Sequence, residues 1–178
     1  MKRDIKWIIT ITILSFIITL IFSFGSNTLL ENVNLIIGVI IIFIFILLGI
    51  IFDIIGVAVQ SSKEVAFHAM ASKKVKGAKT AKKMLANSDK VSSFCNDVIG
   101  DICNIISGSA GLVVALEIAN KFNIKTTLVT LLMASLIASL TIGGKALGKG
   151  YAVSQSEYIV SKVTKILNKF EKKKKKRK

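Results

Sequence analysis

Asp53, Asp97 and Asp101 are the residues best placed to do chemistry, because each interrupts a stretch that is otherwise strongly apolar. An ionised side chain near the centre of a bilayer costs roughly 2.5–3.5 kcal/mol on insertion scales, so a carboxylate held there needs a partner. Asp53 lies seven residues before Gln60, while Asp97 and Asp101 lie seven and eleven residues after Lys90. At about 1.5 Å of rise per residue, all three would sit about 10–16 Å inside the same membrane boundary. Helical spacing predicts that Asp97, Asp101, Asn104 and Gly108 share one face, and that Asp53, Gly56, Gln60 and Glu64 share another. Carboxylates, amide oxygens and hydroxyls are the ligands of hard divalent cations. Asp53, Ser61, Asp97, Asp101 and Asn104 therefore form a candidate metal set suited to Mg²⁺. The competing arrangements are protonated acids, ion pairs with Lys63 or Lys145, and hydrogen bonds between helices.

The surrounding elements must bring these residues together. Apolar residues make up 52% of the chain and the mean hydropathy is +0.65, yet the apolar residues are gathered into blocks at 7–24, 35–59, 94–119 and 126–142. A crossing needs about 20 residues. The β-branched content would favour strands in water, but a lone segment in lipid must satisfy its own backbone, which selects helix. Pro is absent, Trp7 stands where an interfacial anchor would, and Gly25-Ser26-Asn27-Thr28 is expected to end the first block. Between the second and third blocks, Lys73, Lys74, Lys76, Lys79, Lys82, Lys83 and Lys90 surround Val75, Ala78, Ala81 and Met84 or Leu85 at helical spacing. That pattern predicts an amphipathic helix on the membrane surface with snorkelling lysines. Asn87-Ser88-Asp89 offers caps for the next helix. The expected fold is an all-α integral membrane protein with four transmembrane helices and an amphipathic juxtamembrane helix between the second and third. An amphipathic segment at 150–170 should lead into a disordered basic run at 172–178.

A net charge of +15 on a soluble protein would point to nucleic acid. Here the charge is confined to segments that apolar blocks separate, so topology is the simpler cause and no nucleic-acid partner is expected. Three Lys/Arg precede the first block, eight lie in 63–90 and twelve lie from Lys145 onward, against only Lys121 and Lys125 between the third and fourth blocks. This 23-to-2 split predicts cytoplasmic termini in an inner (plasma) membrane, with the bilayer and anionic headgroups as partners. Cys95 and Cys103 fall in one apolar block with no zinc spacing and read as core residues. His68, the only histidine, lies in the basic stretch. No Ser/His/Asp or Cys/His set is in view, so the chain is not expected to be an enzyme. Gly143, Gly144, Gly148 and Gly150 match no phosphate-binding spacing and suggest close helix packing or a flexible helix exit.

Gln60-Ser61-Ser62-Lys63-Glu64-Val65-Ala66-Phe67, closing an apolar helix, resembles the Ser-x-Ser-Glu-Thr-Ala signature of the CNNM/CorB/CorC magnesium-transporter transmembrane domain. Lys76-Gly77-Ala78-Lys79 and Met84 to Lys90 are similar to that family's basic juxtamembrane helix, and the polar third block resembles its Gly-Asn-Asn-x-x-Asn helix. The similarity covers about residues 50–150. It implies an additional N-terminal helix and loop at 1–34, a family-like domain at 35–150, and an amphipathic segment with a basic tail at 151–178. In that family a dehydrated Mg²⁺ is held by Ser, Asn and backbone oxygens with a Glu from the last helix. The resemblance places Ser61 on the serine, Asn104 on the last asparagine, and Gly100, with Asp101 beside it, on the other. Gly144 stands where the family has its glutamate. The resemblance also implies a homodimer, which the small residues of the fourth block would permit. The expected function is binding or transport of a divalent cation. The alternative is a non-transporting scaffold or accessory subunit that binds anionic lipid or a protein partner.

Overall fold

The computed structural model describes the backbone of residues 5–30, 34–73, 75 and 77–175, and side chains within that set except at 26–30 and 170–175. The helices are α1 (Ile5–Leu30), α2 (Leu35–Ser61), α3 (Glu64–Ser72), α4 (Ala78–Leu85), α5 (Ser88–Ser93), α6 (Gly100–Phe122), α7 (Thr126–Ser154) and α8 (Ser156–Lys175), with a π-helical turn at Phe94–Ile99 leading into α6. No strand occurs among the described residues. Four stretches are long and apolar enough to cross a membrane: Ile5–Gly25, Leu35–Ser61, Ser88–Phe122 and Thr126–Ser154. The chain is an all-α membrane protein.

Several boundaries differ from expectation. Gly25-Ser26-Asn27-Thr28 does not stop α1, which continues to Leu30. A helical glycine costs only about 1 kcal/mol and no proline follows to break the backbone ladder. Gly143-Gly144 does not loosen the fourth span either, because α7 stays helical to Ser154. The basic terminus is helical to Lys175 rather than disordered, in keeping with lysine's good helix propensity; residues 176–178 lie outside the described set.

The chain divides into two compact units, residues 1–50 with 98–144, and residues 51–97 with 145–178. The first unit is built from apolar helix faces. Ile42 and Ile46 of α2, Ala110 and Val114 of α6, and Ile137 of α7 form its buried cluster. Small residues let these helices close in. A Cβ on Gly38 would lie 2.7 Å from Val114 Cγ2, and one on Gly111 would collide with Ile137 Cδ1. Between α6 and α7 the chain reverses at Asn123, which adopts the left-handed conformation (φ 54°), while the Ile124 N–H donates to the Ala119 carbonyl at 3.0 Å. This is a C-terminal cap of the Schellman kind, with asparagine in glycine's usual place.

The second unit has its own core: Ala58 and Val59 of α2, Phe67 of α3, Ala81 and Leu85 of α4, Ala152 of α7, and Ile159 and Val160 of α8. The basic stretch at 63–90 is divided among α3, α4 and the start of α5, which opens the third span, and the expected apolar spacing falls on α4. The break between α3 and α4 falls at Gly77, whose φ of +91° no L side chain adopts cheaply. The apolar residues Ala78, Ala81 and Leu85 recur at helical spacing, as expected, but they are buried against protein. Asn87 stands at the N-cap of α5, yet its amide donates back to the Lys83 carbonyl at 3.1 Å instead of capping.

Candidate functional site

The C-terminal stretch of α2 carries Asp53, Gly56 and Gln60 at i, i+3 and i+7, one stripe of the helix. Facing that stripe within the same unit are α5 and the π turn. Gly56 is where they approach most closely, since a Cβ there would collide with Asn96 Oδ1 and lie 2.7 Å from its Cγ. A glycine at 56 is thus what admits the Asn96 amide. From there a polar relay runs across the helices: Asn96 Nδ2 donates to Ser92 Oγ at 3.3 Å, and Ser92 Oγ donates to Gln60 Oε1 at 3.3 Å. Asn96 Oδ1 is buried with no hydrogen-bond partner. A polar pocket of about 330 Å³ opens beside the relay, lined by Gln60, Asp89, Ser92, Ser93, Asn96 and Asp97. Asp89 and Asp97 are exposed, so this pocket gathers two carboxylates, two amides and two hydroxyls where the chain meets solvent.

Asp97 lies in the π turn, whose hydrogen bonds run i to i+5. Such turns recur at functional sites because they re-aim the residues they contain.

Asp53, one turn from Gly56, is 5% exposed. Its Oδ1 lies 3.9 Å from Lys145 Nζ of α7, too far for a hydrogen bond but within reach of the charge, and its Oδ2 is buried without a partner. Of the two lysines that spacing allowed, the structure selects Lys145. The remaining predicted residues are placed as follows. Ser61 is the exposed last residue of α2. Asp97 lines the polar pocket. Gly100, Asp101 and Asn104 belong to the first unit, where Gly100 is buried, Asp101 exposed and Asn104 half-buried. Asn104 lines a larger cavity of about 590 Å³ between α6 and α7, together with Gly108, Gly111 and Ala134. The hydroxyls there, Ser107, Thr130 and Thr141, are satisfied by carbonyls of their own helices. Among the described residues no three His, Cys, Asp or Glu side chains converge as metal ligands.

Gln60 was legible on the expected face of α2, whereas Ser92 and Asn96 were not among the expected site residues, and their joining to Asp89 needed the α4–α5 turn. Comparison with protein-family models, with curated proteins and with solved structures finds no match.

Proposed function

We propose that this protein binds a hydrated divalent cation, Mg²⁺, in the pocket of Gln60, Asp89, Ser92, Asn96 and Asp97, at the cytoplasmic edge of an inner (plasma) membrane. The observation that carries the reading is the pocket itself, which gathers the carboxylates of Asp89 and Asp97 with the amides of Gln60 and Asn96 and the hydroxyls of Ser92 and Ser93, the kind of oxygen donors that hard divalent cations take. The resemblance to the CNNM/CorB/CorC transmembrane domain agrees, since its most specific motif begins at Gln60. Binding fits better than conduction. Gly144 stands in place of the family glutamate and packs on Ile50, and its neighbour Lys145 sets a tethered positive charge beside the buried Asp53.

In neutral detergent, Mg²⁺ should raise the thermal stability of the purified protein, by about 2.7 kcal/mol at a hundred times the dissociation constant. Asn96→Ala and Asp97→Asn should each abolish that response while leaving metal-free unfolding measurable. Asp101→Ala and Asn104→Ala should leave the response intact. The reverse pattern would move the ion to the deeper set of Asp53, Ser61, Gly100, Asp101 and Asn104, and a wild type indifferent to Mg²⁺ would end the proposal. Orientation has its own check: a cysteine introduced at Asn123 should react with an impermeant reagent in intact cells, and one at Lys79 should not.

A further inference from the structure

We propose that the outer faces of α4 and α8 form one platform that docks anionic phospholipid headgroups by charge, without inserting a helix. This goes beyond the cation reading and does not depend on it. The second unit holds 20 Lys and Arg against six Asp and Glu, a net +14 of the chain's +15. In α4 the apolar residues Ala78, Ala81 and Leu85 are buried, which leaves Lys79, Lys82 and Lys83 exposed. In α8 Ile159, Val160 and Thr164 are buried, which leaves Lys162, Lys165 and Lys169 exposed. The two helices meet closely, since a Cβ on Gly77 would stand 3.1 Å from the Lys165 backbone nitrogen. The two helices are thus neighbours, and each keeps its lysines exposed.

Among the described residues no ion pair reaches Lys79, Lys82, Lys83, Lys165 or Lys169, and Lys162 lies over the Tyr158 ring at 5.3 Å. Glu157 stands in the first turn of α8. Both apolar faces are already spent on the protein core, so neither helix can lay a full apolar face into the bilayer. Tyr158 and Ile166, both exposed among the α8 lysines, are suited to headgroup depth. Only Gln155 separates α8 from α7, the fourth span, so the platform is tethered to a bilayer whatever else is nearby. Lipid is then the anionic partner always within reach, which favours it over nucleic acid.

The test uses the full-length protein in neutral detergent with a chelator present, so that the result is independent of divalent ions. Thermal stability is followed while short-chain phosphatidylglycerol or phosphatidylcholine is added. Phosphatidylglycerol should stabilise the protein, phosphatidylcholine should not, and the effect should vanish at about 0.5 M NaCl, where screening is strong. Each basic residue near an anionic surface is worth about fivefold in affinity, so Lys79→Gln, Lys82→Gln and Lys83→Gln together should weaken the apparent phosphatidylglycerol affinity by about 100-fold. The same three positions changed to Arg should retain it. The proposal is overturned if the two lipids act equally or if the Gln variant binds like the wild type. It is overturned equally if inorganic phosphate alone reproduces the effect, or if an oligonucleotide binds more tightly than the lipid and displaces it.

Discussion

In the first unit the hydroxyls of Thr10, Thr12, Ser107, Thr130, Ser139 and Thr141 all bond to carbonyls three or four residues back in their own helix. In the second unit some hydroxyls do the same, but Ser92 bonds to Gln60 and Lys145 faces Asp53 from one helix to another, and Asn96 donates to that same Ser92. The first arrangement lets a polar residue sit in a span at little cost and conveys nothing between helices. The second ties helices together through groups whose loss would strand a partner, and it leaves two buried oxygens, Asp53 Oδ2 and Asn96 Oδ1, unmatched. Polar groups depend on one another in the second unit, whereas in the described part of the first they are satisfied helix by helix.

The sharpest way to break this contrast is at the buried ion pair. Lys145→Met alone should destabilise the protein by about 3–5 kcal/mol, because it strands the Asp53 carboxylate. Asp53→Leu combined with Lys145→Met should recover most of that loss in the same unfolding assay. If the double variant is as unstable as the single one, the 3.9 Å contact does not couple the two residues.

A smaller effect is expected where helices approach. Gly56→Leu should cost about 1–3 kcal/mol by displacing the Asn96 amide, and it should also remove the Mg²⁺ response. Gly108→Ala is the counterpart in the first unit. A methyl group there would meet nothing within 4 Å, so the change should be neutral or slightly stabilising. Equal losses at the two sites would mean that the Gly56–Asn96 approach is not special.

The smallest difference concerns single hydroxyls. Ser92→Ala should cost about 1–2 kcal/mol because Gln60 and Asn96 both lose a partner. Thr141→Val keeps the shape and removes only a bond to its own helix, so it should cost less than about 0.5 kcal/mol. A larger penalty at Thr141 than at Ser92 would invert the comparison.

The four spans were legible because length and hydropathy are sums along the chain, and lipid leaves an isolated apolar segment only one backbone solution. The lysine-rich stretch was legible as amphipathic for the same reason, since spacing alone decides which residues share a face. What covers that face was not legible. Ala78, Ala81 and Leu85 fit a bilayer surface and a protein core equally well, and only the arrival of α8 chooses the core.

Sequence by itself determined the helical class, the number of apolar crossings, the concentration of positive charge and the residues costly enough to need a reason. Tertiary structure alone decided the partners. It chose Lys145 over Lys63 for Asp53 and set Gly56 against Asn96. The physical reason is that burial costs are local to each residue, whereas satisfaction of a buried polar atom depends on the direction of its neighbour to within a fraction of an ångström.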